Sequence, residues 1–324
     1  MKGSGTNFLA ATTGLAVIAT MWVLISTPSS LTAEPLYSDW SAPVNLGSVV
    51  NSTANDAGPT LSKDRLALYF GSNRSGSLGG SDIWVSQRSS VDEAWGPPTN
   101  IGAVVNSTAD ETSPNISRDG HWLFFMSRRP GSQANPAGVV GFDIWVSYRV
   151  HVQDDFDWQA PVNVTPVNGP SFDQSPFFFA NEDAGLSQLF FTRTTALTGN
   201  DIFVSNQLPD GTFGPPTLVS ELNTAVADAG ASVRFDGLEV FLFSRRSGPG
   251  TVGLSDLWTA TRESVFDPWS PPTALGAVVN SADLDFDPFI ASDRETLYFA
   301  STRAGGVGGQ DLYVTTRTKD KHKR

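Results

Sequence analysis

The sequence predicts an all-β protein: a five-bladed β-propeller of four-stranded antiparallel blades, closed by the N-terminal strand joining the C-terminal blade. Three observations predict it. The stretch "GGSDIWVSQR" (79–88) returns as "GFDIWVSYR" (141–149), "GNDIFVSNQ" (199–207), "LSDLWTATR" (254–262) and "GQDLYVTTR" (309–317). Each copy lies in a longer unit opened by an aromatic residue, Trp40, Trp95, Trp158, Phe213 or Trp269, at intervals of 55, 63, 55 and 56 residues. The apolar runs between them are short, rich in Val, Ile, Phe, Tyr and Trp, and bounded by Gly, Pro, Asn and Asp, a pattern of strands and turns without helical period.

Within a unit the elements follow in order. After the aromatic comes a run such as "APVNLGSVVN", read as the outermost strand, then an acidic residue before "GPTLS", read as the innermost strand. The run "LALYFGS" supplies the second strand, a glycine-rich loop follows, and the recurring motif is the third. A single four-stranded unit cannot bury both of its faces, so five of them stack into a ring. The phase of the repeat requires closure: the first copy begins with the outermost strand (Trp40 to Leu46), whereas the last ends after the third (Asp311 to Thr316). Pairing those two segments gives every blade four strands.

Composition bounds the chemistry. With 40% hydrophobic and 17% charged residues among 324, the chain can bury a large core. A formal net charge of -12 argues against a nucleic-acid partner, which phosphate binding would require to be basic. The absence of cysteine excludes disulfides, thiolate metal sites and cysteine nucleophiles. His121, His151 and His322 are scattered, which disfavours a histidine zinc site or a Ser-His-Asp triad, and no G-x-S-x-G elbow occurs.

Three segments are expected. Residues 1–33 carry the apolar run "FLAATTGLAVIATMWVLIS" (8–26) and read as an export signal cleaved after Ala33. The run of 19 residues also suffices for an uncleaved anchor, the one expected membrane contact. Residues 34–317 form the propeller and 318–324 a basic tail. The location expected is periplasmic or secreted, or membrane-anchored and facing outside the cytoplasm.

The combination "TSPNISRDGHWLFFMSRR" (112–129) followed by "GFDIWVSYR" resembles the WD40-like propeller repeat of the TolB propeller and of many exported bacterial proteins. The resemblance covers nearly all of residues 40–317. It implies the propeller fold and, for function, a binding platform, a periplasmic scaffold or a hydrolase domain.

Chain direction places three polar columns on one rim. The first, before the innermost strand, is Asp56, Glu111, Asp173, Asp228 and Asp285; the second, after the second strand, is Arg74, Arg129, Arg193, Arg246 and Arg303. The third, opening the third strand, is Asp82, Asp143, Asp201, Asp256 and Asp311. One reading is structural: each arginine bridges the two carboxylates of its own blade and pins the glycine-rich loop. The other is a ligand-binding rim. Ten carboxylates against five arginines leave a negative field suited to a cationic ligand or to a divalent cation such as calcium, the one cofactor the sequence suggests. The blade-two loop, with 14 positions from Arg129 to Asp143 against 8, 8, 10 and 8 elsewhere, is the candidate specificity loop.

Other signals are weaker. Trp84, Trp145, Phe203, Trp258 and Tyr313 read as packing between blades rather than as sugar platforms. Asn51, Asn106, Asn168, Asn223 and Asn280 read as turn-bonding residues. "SADLDFDPF" (281–289), with Asp283, Asp285 and Asp287 at alternate positions, lacks the twelve-residue calcium-loop pattern. "SRDGHW" (117–122) lacks the residue between Asp and Gly that a sialidase Asp-box carries, and "RAGGVGGQD" precedes a strand rather than the helix of a phosphate loop.

These readings lead to an exported, non-catalytic propeller binding a protein or carbohydrate of the cell envelope through its polar rim, with no catalytic or metal residue assigned. A propeller-type glycoside hydrolase or lyase is the alternative. Glycoside hydrolysis needs two carboxylates about 5–10 Å apart in unlike environments. The rim acids recur as near equivalents, so no such pair stands out among them. The third reading is a structural subunit of a TolB-like envelope or transport assembly.

Overall fold

The computed structural model describes residues 37–135, 137–195 and 198–320. The expected leader, the last four residues of the basic tail and Pro136 of the blade-two loop lie outside the described residues. Strand β1 (Val44–Asn45) precedes blade one, which comprises β2 (Asp56–Leu61), β3 (Ala67–Ser72), β4 (Asp82–Gln87) and β5 (Thr99–Asn100). Blade two is β6 (Glu111–Ile116), β7 (Trp122–Ser127), β8 (Asp143–Tyr148) and β9 (Val162–Asn163). Blade three is β10 (Asp173–Asn181), β11 (Leu186–Thr195), β12 (Gly199–Asn206) and β13 (Thr217–Leu218). Blade four is β14 (Asp228–Val233), β15 (Glu239–Ser244), β16 (Asp256–Thr261) and β17 (Thr273–Ala274). Blade five is β18 (Asp285–Ile290), β19 (Thr296–Ser301) and β20 (Asp311–Thr316), completed by β1.

The ring closes as the repeat phase requires. Val44 pairs with Val314 and Asn45 with Tyr313, antiparallel, so the first strand of the described chain becomes the outer edge of the last blade. Tyr37 adds a bridge to Lys319. Closure leaves each blade with a neighbour on both faces, which removes the large apolar faces that a lone sheet would show to water.

The core lies between blades. Tyr69, Ile83 and Val85 of blade one pack on Ile116, Leu123 and Phe125 of blade two, and equivalent clusters recur around the ring. The aromatics that open each unit pack on cations: Arg88 covers Trp95 at 4.2 Å, Arg149 covers Trp158 at 4.5 Å, Arg262 covers Trp269 at 4.0 Å and Arg317 covers Trp40 at 4.6 Å. The repeated terminal arginine of the motif therefore clamps the next outer segment. Blade three has Gln207 there and bonds Phe213 through a backbone bridge instead.

One irregularity positions the channel. In every blade the pairing of the innermost strand with the second slips at its third residue. Those residues, Gly58, Ser113, Ser175, Gly230 and Asp287, have φ of 63, 46, 46, 64 and 49°. Such bulges bend a strand and re-aim one side chain. Here they curve the inner strands around the axis, and all five residues line its narrow central chamber.

Candidate functional site

The three rim columns come together as the sequence placed them, and each is locked inside its own blade. Arg74 meets Asp56 at 2.5 Å, Arg129 meets Glu111 at 3.1 Å, Arg193 meets Asp173 at 2.7 Å, and Arg246 and Arg303 meet Asp228 and Asp285 at 2.5 Å each. The same guanidinium groups donate to the carbonyls of Val50, Val105, Val167, Leu222 and Val279. Each first-column acid also accepts a backbone N–H, from Ser52, Ser107, Gly169, Thr224 or Ser281, at 2.6–2.7 Å. All five acids are fully buried. The expected aromatic column is what encloses the cations, with Trp84, Trp145, Phe203, Trp258 and Tyr313 4.8–5.3 Å from the guanidinium carbons.

The third column is held differently from the expectation. The arginines do not bridge to it. Asp82 accepts the backbone N–H groups of Leu78 and Gly79 and the side-chain amide of Asn100. Asp256 accepts from Val252 and Gly253, Asp311 from Val307, Gly308 and Asn45, and Asp201 from the hydroxyls of Thr195 and Thr198. The glycines are needed because the loop lies on the next blade: a Cβ on Gly79, Gly253 or Gly308 would stand 1.8, 2.4 or 2.1 Å from a carbonyl oxygen there. The asparagine column also reaches further than its own turn. Asn106 exchanges hydrogen bonds with both backbone groups of Ile83 in the preceding blade, and Asn51, Asn168, Asn223 and Asn280 do the same with Leu312, Ile144, Ile202 and Leu257.

The longer blade-two loop alters one of these locks. Asp143 keeps Gln133 and Asn163 as donors, but its Oδ1 is buried without a partner among the described residues. Burial pushes the Asp143 carboxyl up, against those two hydrogen bonds. Burial likewise lifts Asp173 to about 6, opposed by Arg193 and reinforced by the charge of Asp143. In "SADLDFDPF" the acids diverge: Asp285 belongs to the Arg303 pair, whereas Asp287 enters the axial chamber. Among the described residues no three His, Asp or Glu side chains group as metal ligands.

The opposite face is where the five-fold symmetry fails. The residues at the seventh position beyond each first-column acid are Lys63, Arg118, Ala180, Phe235 and Ser292, five different side chains at one place in the repeat. They surround the channel where the innermost strands end. A cavity of about 430 Å³ opens there, lined from all five blades by residues that include Lys63, Arg118, Asp119, Phe178, Glu182, Asp183, Phe235, Asp236 and Arg294. Blade three departs most, since β10 and β11 run 9 and 10 residues against 6 in the equivalent strands. Their extended hairpin carries Glu182 and Asp183, both exposed and neither with a side-chain partner among the described residues.

Asp236 is the contrasting acid. It is half-buried, 2.8 Å from Arg234 and 3.3 Å from Arg294, and it accepts the Leu238 N–H. Burial alone would raise its pKa, but the hydrogen bond and charge of Arg234, the Leu238 amide and the charge of Arg294 outweigh it and hold the carboxyl below its usual range. Inward of the cavity, Phe177 of blade three and Phe289 of blade five approach to 6.3 Å across the axis. Behind that constriction lies the chamber of about 40 Å³ that contains Asp287. One column of this face does repeat, Asp64, Asp119, Asn181, Asp236 and Asp293, and the four aspartates each accept the backbone N–H two residues on. The signal that went unread was the failure of the preceding column to repeat.

Solved structures share this build. The α-L-arabinofuranosidase of Podospora anserina, solved with cellotriose, superposes with a TM-score of 0.57 at 12% identity, covering 88% of this chain and 98% of its own. The GH62 α-L-arabinofuranosidase of Coprinopsis cinerea gives 0.56 at 12% identity over 88% and 98%. The α-L-arabinofuranosidase of Lactobacillus brevis gives 0.56 at 13% identity over 83% and 92%. No family model matches the chain, and no curated protein matches it either. Likeness at this identity establishes the five-bladed fold. It also corrects the expectation of a non-catalytic envelope-binding propeller: these solved counterparts are glycoside hydrolases, in line with the glycoside hydrolase alternative. The expectation rested on the near-equivalence of the rim acids, each of which the structure pairs with the arginine of its own blade.

Proposed function

We propose that the protein is a propeller-type glycoside hydrolase whose sugar-binding site is the axial mouth. One observation carries this reading: at a single position of the repeat the five blades present five different residues, and four of them, Lys63, Arg118, Ala180 and Phe235, line a cavity of about 430 Å³ furnished with carboxylates and with the rings of Phe178 and Phe235. A cavity of this size suits a small-molecule ligand, and aromatic faces beside carboxylates are what a sugar ring requires. Two-carboxylate hydrolysis needs unlike acids. Asp236, held ionised by Arg234 and Arg294, is suited to the base or nucleophile role, and Glu182, free of partners on the blade-three hairpin, to that of the proton donor. The arabinose-releasing activity of the solved counterparts makes arabinofuranosides the first substrates to try. Export through the leader and kinship with WD40-like repeats form part of the same proposal, supported by residues 8–26 and by the five recurring motifs.

The test is hydrolysis of a panel of aryl arabinofuranosides, xylosides and galactosides, alongside the polysaccharides. Wild-type turnover should fall about 10²–10⁴-fold in Glu182→Gln and in Asp236→Asn, the range a proton-transferring group contributes. Asp210→Asn, an exposed turn substitution away from the mouth, should leave it unchanged. Turnover that survives both mouth substitutions would remove the site from the mouth.

A further inference from the structure

Two cations of the mouth stand among four carboxylates, Asp119, Glu182, Asp183 and Asp236, without pairing with any of them. Lys63 and Arg118 make no ion pair and no side-chain hydrogen bond among the described residues, although both line the cavity. Arg118 is nevertheless positioned. Its guanidinium lies 4.0 Å from the centre of the Phe235 ring, and that of Arg294 lies 4.1 Å from the same centre. Two groups that close cannot share one face of a phenyl ring, so Phe235 is sandwiched between them. The stack ties blade two to blades four and five across the channel mouth.

The two arginines of the stack differ in one respect. Arg294 is directed to Asp236 at 3.3 Å, whereas Arg118 keeps all five N–H donors available. None of the neighbouring acids is paired with it: Asp119 is turned to the Ser117 hydroxyl and the His121 amide of its own turn, and Asp236 to two arginines. Glu182 and Asp183 line the same cavity from the blade-three hairpin, with no ion pair to Lys63 or Arg118 among the described residues. A stacked, planar guanidinium with free edges recognises a carboxylate or sulfate oxygen pair, and a nearby ammonium adds charge without fixed geometry.

We propose that the ligand of the mouth is an anion-bearing glycan, whose acidic substituent is held by Arg118 and Lys63. This rests on the mouth being the sugar site and adds the class of sugar. Calorimetric titration of the full chain with three oligosaccharides of matched length tests it: one carrying uronate, its carboxyl-reduced neutral form, and a sulfated one. The uronate or the sulfated ligand should bind at least about tenfold tighter than the neutral form, with an advantage that shrinks as salt rises. Arg118→Gln and Lys63→Gln, each first shown to remain folded in a thermal melt, should each reduce the ratio of acidic-ligand to neutral-ligand affinity. Preference for uronate over sulfate, or the reverse, identifies the substituent. Equal affinity for acidic and neutral forms would overturn the anionic class and leave the hydrolase reading standing. Binding of none of the three would overturn both.

Discussion

At the scale of single residues the two faces of the propeller use charge in opposite ways. On the rim each acid is fully buried against an arginine whose side chain is 10–20% exposed, so removing the arginine leaves an uncompensated charge in the interior. Arg246→Met should therefore cost about 3–5 kcal/mol in urea unfolding. In the axial chamber Asp287 has no partner among the described residues, and although it keeps some solvent contact, burial pushes its carboxyl up to about 7 from 3.8. A raised folded-state value means that the folded protein binds the proton more tightly than the unfolded chain. The associated stability is complete below about pH 4 and is lost as pH rises through about 7. Asp287→Asn keeps the protonated shape, and asparagine tolerates the positive φ of 49° at this bulge. The variant should melt several degrees above wild type at pH 8 and by a much smaller margin at pH 4.5. An equal difference at both pH values would contradict this account of the chamber.

At the scale of elements, what repeats was legible and what departs from the repeat was not. The third strand was readable to the residue, because Asp311 to Thr316 is both the expected segment and β20. Strand β1 is shorter than the expected Trp40 to Leu46: Val44 and Asn45 form the ladder, with further backbone hydrogen bonds from Ser41 to Thr316 and from Leu46 to Leu312. The rim columns were located correctly from spacing alone. Their hydrogen bonds were not, because residue spacing does not reveal that the loop amides reach the third-column aspartate before an arginine can. The mouth repeats only in its turn column, Asp64, Asp119, Asn181, Asp236 and Asp293, which read as turn residues and not as a site. The blade-three hairpin is the element on which the functional account turns. Shortening it by deleting Glu182 to Ala184 and closing with Gly185 should leave the fold cooperative in a thermal melt and abolish turnover, whereas retained turnover would exclude the hairpin from the site.

At the scale of the whole molecule, stability depends on closing the ring. Strand β1 contributes little area, but its pairing with β20 is accompanied by Arg317 lying over Tyr37 and Trp40 and forking onto Glu239 of blade four at 2.8 and 2.5 Å. Deleting residues 34–48 should lower the melting temperature and, by exposing the edge of β20, produce association visible by light scattering. A monomer with unchanged melting temperature would contradict closure as a source of stability. The same closed ring keeps five unlike side chains in fixed positions around one axis, which is how a symmetric scaffold acquires a single site. That claim is tested most directly by measuring sugar release from aryl arabinofuranosides and polysaccharides by wild type and by Glu182→Gln, each first shown to melt at the same temperature. The account predicts turnover by the wild type and a loss of at least about a hundredfold in the variant. Equal rates in the two proteins, or no turnover on any glycan offered, would contradict it.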